Sequence, residues 1–435
     1  MNVELRPTKT AAEQALASAF AAAKPKLPGK GVLAALREDA FSHFEAQGLP
    51  HRRVEEWKYT DLRSLVRDAK PLAEAPDAAA KARAKNAGAL FAGIETRRLV
   101  FVDSAFAPEL SDLTPEKGVT IGTLADALAK GDPLVSAHTG KVFDTKDVAV
   151  ALNTAFMADG AVIRIAAGTK VARPIHLVFA GTKPVSVFTR SLLVAEKGCQ
   201  VVLLESQESG EAQVNTALDL VAGDEAQVDH LKVTRAQSLH ISSLMASVGA
   251  RVKFSSFAFT PQSALVRNQT FLRLAGEGTH AAIGGASLLK GREHIDTTLV
   301  IDHAAPGCES RERFRAVLDG ESRSVFQGKI IVPPHAQKTD ARMVSNALLL
   351  SDEAEADNKP ELEIFADDVQ CSHGATAGAL DADLLFYLRA RGIPEKEAQA
   401  LLIQAFIGDT IETVAHEGIR EALMEASIAW LRARG

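Results

Sequence analysis

Residues 195–233 read AEKGCQVVLLESQESGEAQVNTALDLVAGDEAQVDHLKV, and this stretch decides the fold. Short runs rich in valine and leucine alternate with turns that contain glycine, and the same pattern continues from about residue 97 to residue 380. The turn glycines are Gly168, Gly198, Gly223, Gly249 and Gly276, with separations of 30, 25, 26 and 27 residues. A near-constant period of short strands and turns is typical of a solenoid, in which each repeat forms one coil.

A coil of this length cannot bury its own apolar side, whereas stacked coils bury a continuous column of valine, leucine, isoleucine and phenylalanine. A β-sandwich would give no reason for a steady period. We therefore predict a mainly β protein whose core is a parallel β-helix, over residues 96–380. Almost no stretch within this region has a sustained helical period.

Both ends of the chain are predicted to be helical. Residues 1–95 are rich in alanine, leucine and charged residues, and they form the expected N-terminal helical domain. Residues 381–435 form the expected C-terminal helical domain, in which Asp381 or Asp383 caps the first helix and Gly392 ends it. The following helix is amphipathic, and its apolar face is predicted to contain Ala398, Leu401, Leu402, Ala405, Phe406 and Ile411.

Composition excludes several classes of protein. A net charge of −6 argues against a nucleic-acid-binding surface, which needs a basic face. No apolar run reaches the roughly 18 residues of a membrane helix. The three cysteines are far apart and odd in number, which argues against a disulfide framework and favours a reducing compartment, the cytoplasm.

The stretch CSHGATAG, residues 371–378, carries the strongest candidate chemistry. In a strand, Cys371 and His373 lie on the same face, which suits a thiol–imidazole pair or shared ligation of a metal. The alternative is an inert cysteine and a hydrogen-bonded histidine in a glycine-rich bend. Asp367 and Asp368 are adjacent, so in a strand they would point to opposite faces, and a turn is the better interpretation. We expect Cys199 and Cys308 to lie in the core or in turns, and the sequence leaves their roles open.

Residues 358–392, NKPELEIFADDVQCSHGATAGALDADLLFYLRARG, closely resemble the signature of the SufB/SufD family of iron–sulfur cluster assembly proteins. Residues 300–332 (VIDHAAPGCESRERFRAVLDGESRSVFQGKIIV) and residues 336–357 (AQKTDARMVSNALLLSDEAEAD) agree with this resemblance. Residues 55–65, EEWKYTDLRSL, also resemble the N-terminal arm of the family. Serine and glycine flank His373, where the SufB branch typically has glutamates, and this difference favours the SufD branch.

The resemblance implies a right-handed parallel β-helix and a non-catalytic scaffold within a SufB–SufC–SufD complex. It implies that His373, and with a weaker claim Cys371, contributes to a site shared with SufB at the ends of the two β-helices. It also implies that SufC, an ABC-type ATPase, docks on the C-terminal helices. The docking candidates there are Leu401, Leu402, Phe406 and Ile407. No sequence of the form GxxxxGK[ST] occurs, so ATP hydrolysis is expected in SufC.

From the same resemblance we expect no cofactor to be held stably by the isolated chain. Iron or an iron–sulfur cluster is expected only transiently in the complex, where a flavin is also allowed. The isolated chain is expected either to stay monomeric or to form a homodimer through the edge meant for SufB. Two alternatives stay open, a β-helix polysaccharide lyase or hydrolase and a plain interaction module. The small number of Trp and Tyr residues weighs against a sugar-binding surface.

Overall fold

The computed structural model describes residues 9–434. The N-terminal region contains four helices: α1 Ala11–Ala23, α2 Val32–Gln47, α3 Leu62–Leu65 and α4 Ala78–Ala84. The first helix begins with a capping box in which Thr10 and Glu13 satisfy each other's backbone N–H groups. Gly48 ends α2 with a positive φ of 71°. The predicted helical character of this region is confirmed.

Nineteen strands follow in the described part of the chain. They are β1 Arg97–Val102, β2 Ala105–Phe106, β3 Val119–Thr123, β4 Ala161–Ile165, β5 Ile175–Gly181, β6 Ser186–Ala195, β7 Gln200–Ser209, β8 Gln213–Ala222, β9 Gln227–Ala236, β10 Leu239–Val248, β11 Lys253–Pro261, β12 Leu265–Leu274, β13 His280–Leu289, β14 His294–Asp302, β15 Glu309–Leu318, β16 Arg323–Val332, β17 Asp340–Leu349, β18 Glu355–Ile364 and β19 Gln370–Gly378. The odd-numbered strands from β5 to β19 form a first sheet with β1 and β2, and the even-numbered strands from β4 to β18 form a second sheet with β3.

From β4 onward, each strand pairs in parallel with the strand two positions along the chain, which is the topology of a two-sheet solenoid. Gln200, Gln227, Lys253 and His280 occupy the same position in four successive coils, at intervals of 27, 26 and 27 residues. Between the two sheets lies one continuous core, which extends from Leu99 to Ala366. The predicted parallel β-solenoid is therefore confirmed.

The turns of this solenoid stack closely. A β-carbon added to Gly276 would lie 2.1 Å from the backbone nitrogen of Ala250 in the preceding coil. Because atoms cannot approach that closely, only glycine allows the two turns to pack at this coil spacing. This is the physical reason for at least one of the periodic glycines in the sequence.

Three helices interrupt the early strands: α5 Leu124–Lys130, α6 Pro133–His138 and α7 Val148–Phe156. They precede β4 and lie within the region expected to be β-helix, so the expectation of an almost helix-free segment was wrong there. Each is nine residues or shorter, and α7 is buried at all but one of its positions. A short helix that is apolar on all sides cannot be told from a buried strand by periodicity.

The N-terminal arm is held on the second sheet by residues 55–60, which we call the latch. The indole of Trp57 is buried and donates a hydrogen bond of 2.9 Å to Oδ2 of Asp147. The guanidinium group of Arg267 lies 3.7 Å from the centre of the Trp57 ring and ion-pairs with Asp296, and both charged side chains are fully buried. Thr60 donates a hydrogen bond to the same aspartate. Trp57 is thus an aromatic anchor for the arm.

The chain ends in α8 Ala382–Ala390, α9 Glu395–Ile411 and α10 Glu417–Arg434. Asp381 caps α8 through the backbone N–H groups of Asp383 and Leu384. The buried face of α9 contains Ala398, Ile403, Ile407, Gly408, Thr410 and Ile411, which differs from the predicted apolar face. Together with α10 it covers a cluster on the outer side of the first sheet that includes Phe257, Phe259, Leu288 and Val317. Within residues 9–434, no helix is both long enough and apolar enough to cross a membrane.

Candidate functional site

The last coil of the solenoid carries Cys371 and His373. In β19, Cys371 is in register with Ala341 of β17, and His373 is in register with Met343. Ala341 and Met343 are buried in the solenoid core, so Cys371 and His373 continue the inward-facing columns of the first sheet. Among the described strands none pairs with the outer edge of β19, and the columns end at this coil. We call this end of the solenoid the mouth.

The two side chains differ in exposure. Cys371 is half-buried and packs against the core, whereas His373 is exposed. Burial raises the pKa of the Cys371 thiol, and the nearby carboxylates of Asp340 and Glu312 raise it further. The thiol form is therefore favoured in the isolated chain, and Cys371 is a weaker metal ligand at neutral pH than a thiolate would be. His373 is accessible to a partner as it stands.

A buried carboxyl lies below the mouth. Glu312 of β15 is in register with Met343, which in turn is in register with His373. Its side chain is 1 % exposed, and within residues 9–434 neither carboxyl oxygen makes a well-formed hydrogen bond. Burial raises the pKa of Glu312 to about 8, although Ser310 and Arg311 favour the charged form. Glu312 was not among the predicted site residues, although its position two residues before the inward-facing Phe314 places it on the same face of the strand.

Deeper in the solenoid, a second polar cluster is fully enclosed. His230 contacts Oε1 of Glu205 at 3.2 Å and the hydroxyl of Ser256 at 2.9 Å. In the same cluster, Lys232 donates a hydrogen bond of 2.6 Å to Ser242, and burial lowers the pKa of Lys232 to about 8. These groups satisfy one another and lie several coils from the mouth, so they belong to the core and not to the candidate site.

The other sulfur and acidic candidates lie outside the mouth. Cys199 and Cys308 are fully buried in the core, as expected, and burial raises the pKa of Cys199 to about 11. Cys308 donates a hydrogen bond of 3.2 Å to the carbonyl of Gly276. Asp367 and Asp368 lie in the bend between β18 and β19, where Asp368 ion-pairs with Lys338. Their interpretation as a turn is confirmed.

Exposed apolar side chains are concentrated near the mouth and on α8. Phe365 lies in the bend beside the mouth and is 62 % exposed. On α8, Leu384, Phe386 and Tyr387 are 52 %, 73 % and 54 % exposed. Large apolar side chains clustered in this way mark surfaces that bind other proteins. We call the three α8 residues together with Leu401 the α8 face.

Two of the predicted docking residues do not fit this surface. Ile407 is fully buried against the solenoid, so its prediction as a docking residue was wrong. Phe406 is only partly accessible, because the guanidinium group of Arg315 stacks 4.7 Å from its ring centre. The cause is the rotation of α9, which directs these side chains to the first sheet. Leu402 is half-buried, and only Leu401 of the four is well exposed, at 43 %.

The mouth does not form a complete metal site within one chain. Across residues 9–434, no group of three or more His, Cys, Asp and Glu side chains is arranged to hold a metal ion. A cluster of iron and sulfide requires several soft ligands, most often four. Cys371 and His373 lie roughly 7 Å apart along the strand, at the end of the solenoid where no further described strand covers them. The arrangement is that of a partial ligand set.

Comparison with known proteins assigns the family. Residues 12–177 match the SufBD protein N-terminal region, and residues 178–406, more than half of the chain, match the SufBD core domain of SUF-system iron–sulfur cluster assembly. The chain belongs to the SufB/SufD family. The role of this SufB/SufD protein is therefore in iron–sulfur cluster assembly.

Relatives of this SufB/SufD protein extend over nearly the whole chain. A SufBD family protein of Synechocystis sp. is 32% identical over 407 residues, which covers 88% of each chain. The iron–sulfur cluster assembly protein SufD of Escherichia coli is 29% identical over 387 residues, covering 87% of this chain and 88% of its own. SufD of Bacillus subtilis is 25% identical over 388 residues, with 86% and 87% covered. The resemblance to the SufB/SufD family is confirmed, and the assignment decides against a lyase or hydrolase.

Proposed function

We propose that this chain is a SufD-like, non-catalytic scaffold subunit that contributes His373 to a cluster-assembly site completed by a SufB partner. The observation that carries the proposal is the mouth: the inward-facing columns of the solenoid end in a half-buried thiol and an exposed imidazole, with no coil beyond them. The iron–sulfur cluster is the cargo of this site, and His373 is one of its ligands.

The edge strands support the position of the SufB partner. β18 and β19 are the last strands of their sheets, and each leaves one row of backbone N–H and C=O groups unpaired by a described strand. Such edges pair readily with another strand. A SufB subunit that adds its own strands here extends both sheets and brings its ligands to the mouth.

The α8 face supports the position of the SufC partner. It lies on the first helix after the solenoid, next to the mouth, and its aromatic side chains are those that dominate binding energy in protein interfaces. The chain contains no phosphate-binding loop of its own. In the proposed complex SufC hydrolyses ATP, and its movement reaches the mouth through α8.

The first prediction concerns the ligand. In a complex reconstituted with the SufB and SufC partners, iron and sulfide, His373→Ala is expected to lower cluster content at least about tenfold, because one ligand is lost. Cluster content is measured by iron analysis and by visible absorbance of the isolated complex. Since His373 is exposed, the circular dichroism spectrum and melting temperature of the variant are expected to stay unchanged.

His280→Ala is the matched control, because His280 is also exposed on the first sheet but lies three coils below the mouth. Cys371→Ser is expected to reduce cluster content less than His373→Ala, since burial disfavours the thiolate. Full cluster content with His373→Ala, in a complex of normal composition, would refute the ligand assignment.

The second prediction concerns the docking of SufC. The double variant Phe386→Asp/Tyr387→Asp is expected to weaken SufC binding at least about 30-fold, because the loss of a single aromatic hot spot already costs about 2 kcal/mol. Calorimetric titration of the full chain with SufC measures this. Leu113→Asp, at an apolar residue 54 % exposed elsewhere on the surface, is the control and is expected to bind normally.

Point variants are preferable to removing residues 393–435. That deletion would strip Ile403, Ile407 and Leu423 from the first sheet and expose the cluster they cover. Loss of binding would then reflect unfolding as much as a lost surface. Unchanged SufC affinity of the aspartate pair, with a normal melting temperature, would place the docking surface elsewhere.

A further inference from the structure

A large open groove lies far from the mouth. It has a volume of about 1140 Å³ and lies between α10 and one corner of the solenoid, where first-sheet strands turn into second-sheet strands. We call it the corner groove. Its wall on the helix side consists of Ala426, Ala429, Trp430 and Ala433. Neither the proposed site at the mouth nor the α8 face includes any of these residues.

The corner groove is elongated. Its solenoid wall takes residues from the same turn of five successive coils: Gly181, Gly210, Gln237, Gln262 and Arg292 lie in these turns. Adjacent strands lie about 4.8 Å apart, so five coils span about 19 Å along the solenoid axis. An extended peptide rises about 3.3 Å per residue, and about six residues match this length. The shape favours an extended chain over a compact ligand.

Three of the four residues on the helix wall are alanines, and the fourth is Trp430. Ala426, Ala429 and Ala433 follow one another at spacings of three and four residues, which places them on one side of α10. A wall of small side chains lets a peptide backbone approach α10 closely. It also keeps the groove wide, because alanine side chains project little into it. A bulky residue at Ala429, which is exposed, would narrow it.

Unused positive groups flank the groove. Arg83 and Arg235 are exposed, and neither side chain has an ion pair or hydrogen bond among the described residues. The two acidic residues of the wall are already engaged: Glu208 accepts a hydrogen bond of 2.9 Å from the backbone of Gly88, and Glu293 accepts one of 2.9 Å from the backbone of Lys290. Each carboxylate therefore accepts a backbone hydrogen bond, whereas the guanidinium groups of Arg83 and Arg235 have no partner among the described residues.

Two buried donors in the wall also have no partner. Trp430 is 5 % exposed and Ser209 is 8 % exposed, and neither the indole N–H nor the hydroxyl has a hydrogen-bond partner in residues 9–434. Unpaired buried donors are rare and costly in native proteins. A bound peptide rich in carboxylates and carbonyls would bring hydrogen-bond acceptors into the corner groove, whose wall contains these two unpaired donors.

We propose that the corner groove binds an extended acidic peptide segment of about six residues, supplied by a partner protein. Arg83 and Arg235 bind its carboxylates, and the alanine wall of α10 packs against its backbone. This inference is independent of the ligand role of His373 and of SufC docking.

The test uses the full chain and a fluorescein-labelled hexaglutamate peptide, with binding measured by fluorescence anisotropy at low salt. Arg83→Ala and Arg235→Ala are each expected to weaken binding about fivefold, because each removes one opposite charge. Ala429→Trp is expected to abolish binding while the melting temperature stays normal. Hexaglutamine of the same length is expected not to bind.

Arg53→Ala is the matched control, since Arg53 is exposed and lies outside the groove. Equal weakening by Arg53→Ala would overturn the proposal, because the attraction would then belong to the whole surface. Retained affinity in a folded Ala429→Trp variant would overturn the location. Tighter binding of tripolyphosphate than of hexaglutamate at the same two arginines would overturn the peptide class and assign a phosphate ligand.

Discussion

Replacing Arg267 by alanine is expected to lower the free energy of unfolding by about 3–5 kcal/mol, the usual cost of breaking a buried ion pair from one side. Arg267 and Asp296 are both fully buried, and without the guanidinium group the aspartate keeps its charge in the protein interior, where Thr60 and Thr298 donate its remaining hydrogen bonds among residues 9–434. The variant also loses the stacking on Trp57 and a hydrogen bond of 2.8 Å to the carbonyl of Glu56. Urea unfolding followed by circular dichroism measures the loss.

The same change is expected to release the latch locally. Two contacts of Arg267 end on the latch, at Glu56 and Trp57, so the variant weakens the attachment of the N-terminal arm, which then rests on the hydrogen bonds of Trp57 and Thr60. Trypsin can cut at Arg52, Arg53 and Lys58, which lie in or beside the latch. Under native conditions we expect cleavage at these positions to become faster in Arg267→Ala.

Arg190→Ala is the matched control. Arg190 and Asp219 form the other buried arginine–aspartate pair of the second sheet, at 2.7 Å, but Arg190 contacts Asn153 and Thr154 and not the latch. A similar loss of stability with unchanged cleavage at residues 52–58 is expected. Equal acceleration of cleavage in both variants would show that Arg267 stabilises the fold as a whole without holding the arm.

Much of the architecture could be predicted because the solenoid repeats its physical constraints in every coil. Turn glycines, short strands and alternating apolar residues recur, and the helical ends have ordinary caps at Asp381 and Gly48. The pairs Arg267–Asp296 and Arg190–Asp219 were not predicted, although their members are neighbours in adjacent coils. The turns differ in length from coil to coil. The register between adjacent strands, and therefore which side chains meet across two coils, cannot be read from a single sequence.

Part of the candidate site could be predicted for a similar reason. The spacing of Cys371 and His373 places them on one face of any strand, whatever surrounds it. In contrast, the docking residues of α9 depended on which side of an amphipathic helix faces its own chain. Ile407 and Leu401 are both apolar members of that helix, and only the packing of α9 on β15 separates the buried residue from the exposed one. An apolar face looks the same whether it packs internally or binds a partner.

Glu312→Gln is expected to remove a strong pH dependence of stability. The pKa of Glu312 is raised by burial to about 8 from an ordinary value of 4.5. Between these two pH values the folded chain keeps the proton that the unfolded chain has lost, so stability is fully present below about pH 4.5 and falls as pH rises to about 8. At 1.36 kcal/mol per pH unit, the loss is at most roughly 5 kcal/mol.

Other buried groups also make stability depend on pH: burial lowers the pKa values of His176 and His240 to about 3. These histidines titrate alike in wild type and in Glu312→Gln, so the difference between the two proteins reports the contribution of Glu312 alone. Urea unfolding at pH 5 is expected to give similar stabilities, whereas at pH 8 the glutamine variant is expected to be the more stable by several kcal/mol. Glu353→Gln, at an exposed carboxyl in the turn after β17, is expected to behave as wild type at both pH values. Equal stability differences at pH 5 and pH 8 would show instead that Glu312 is already ionised in the folded chain.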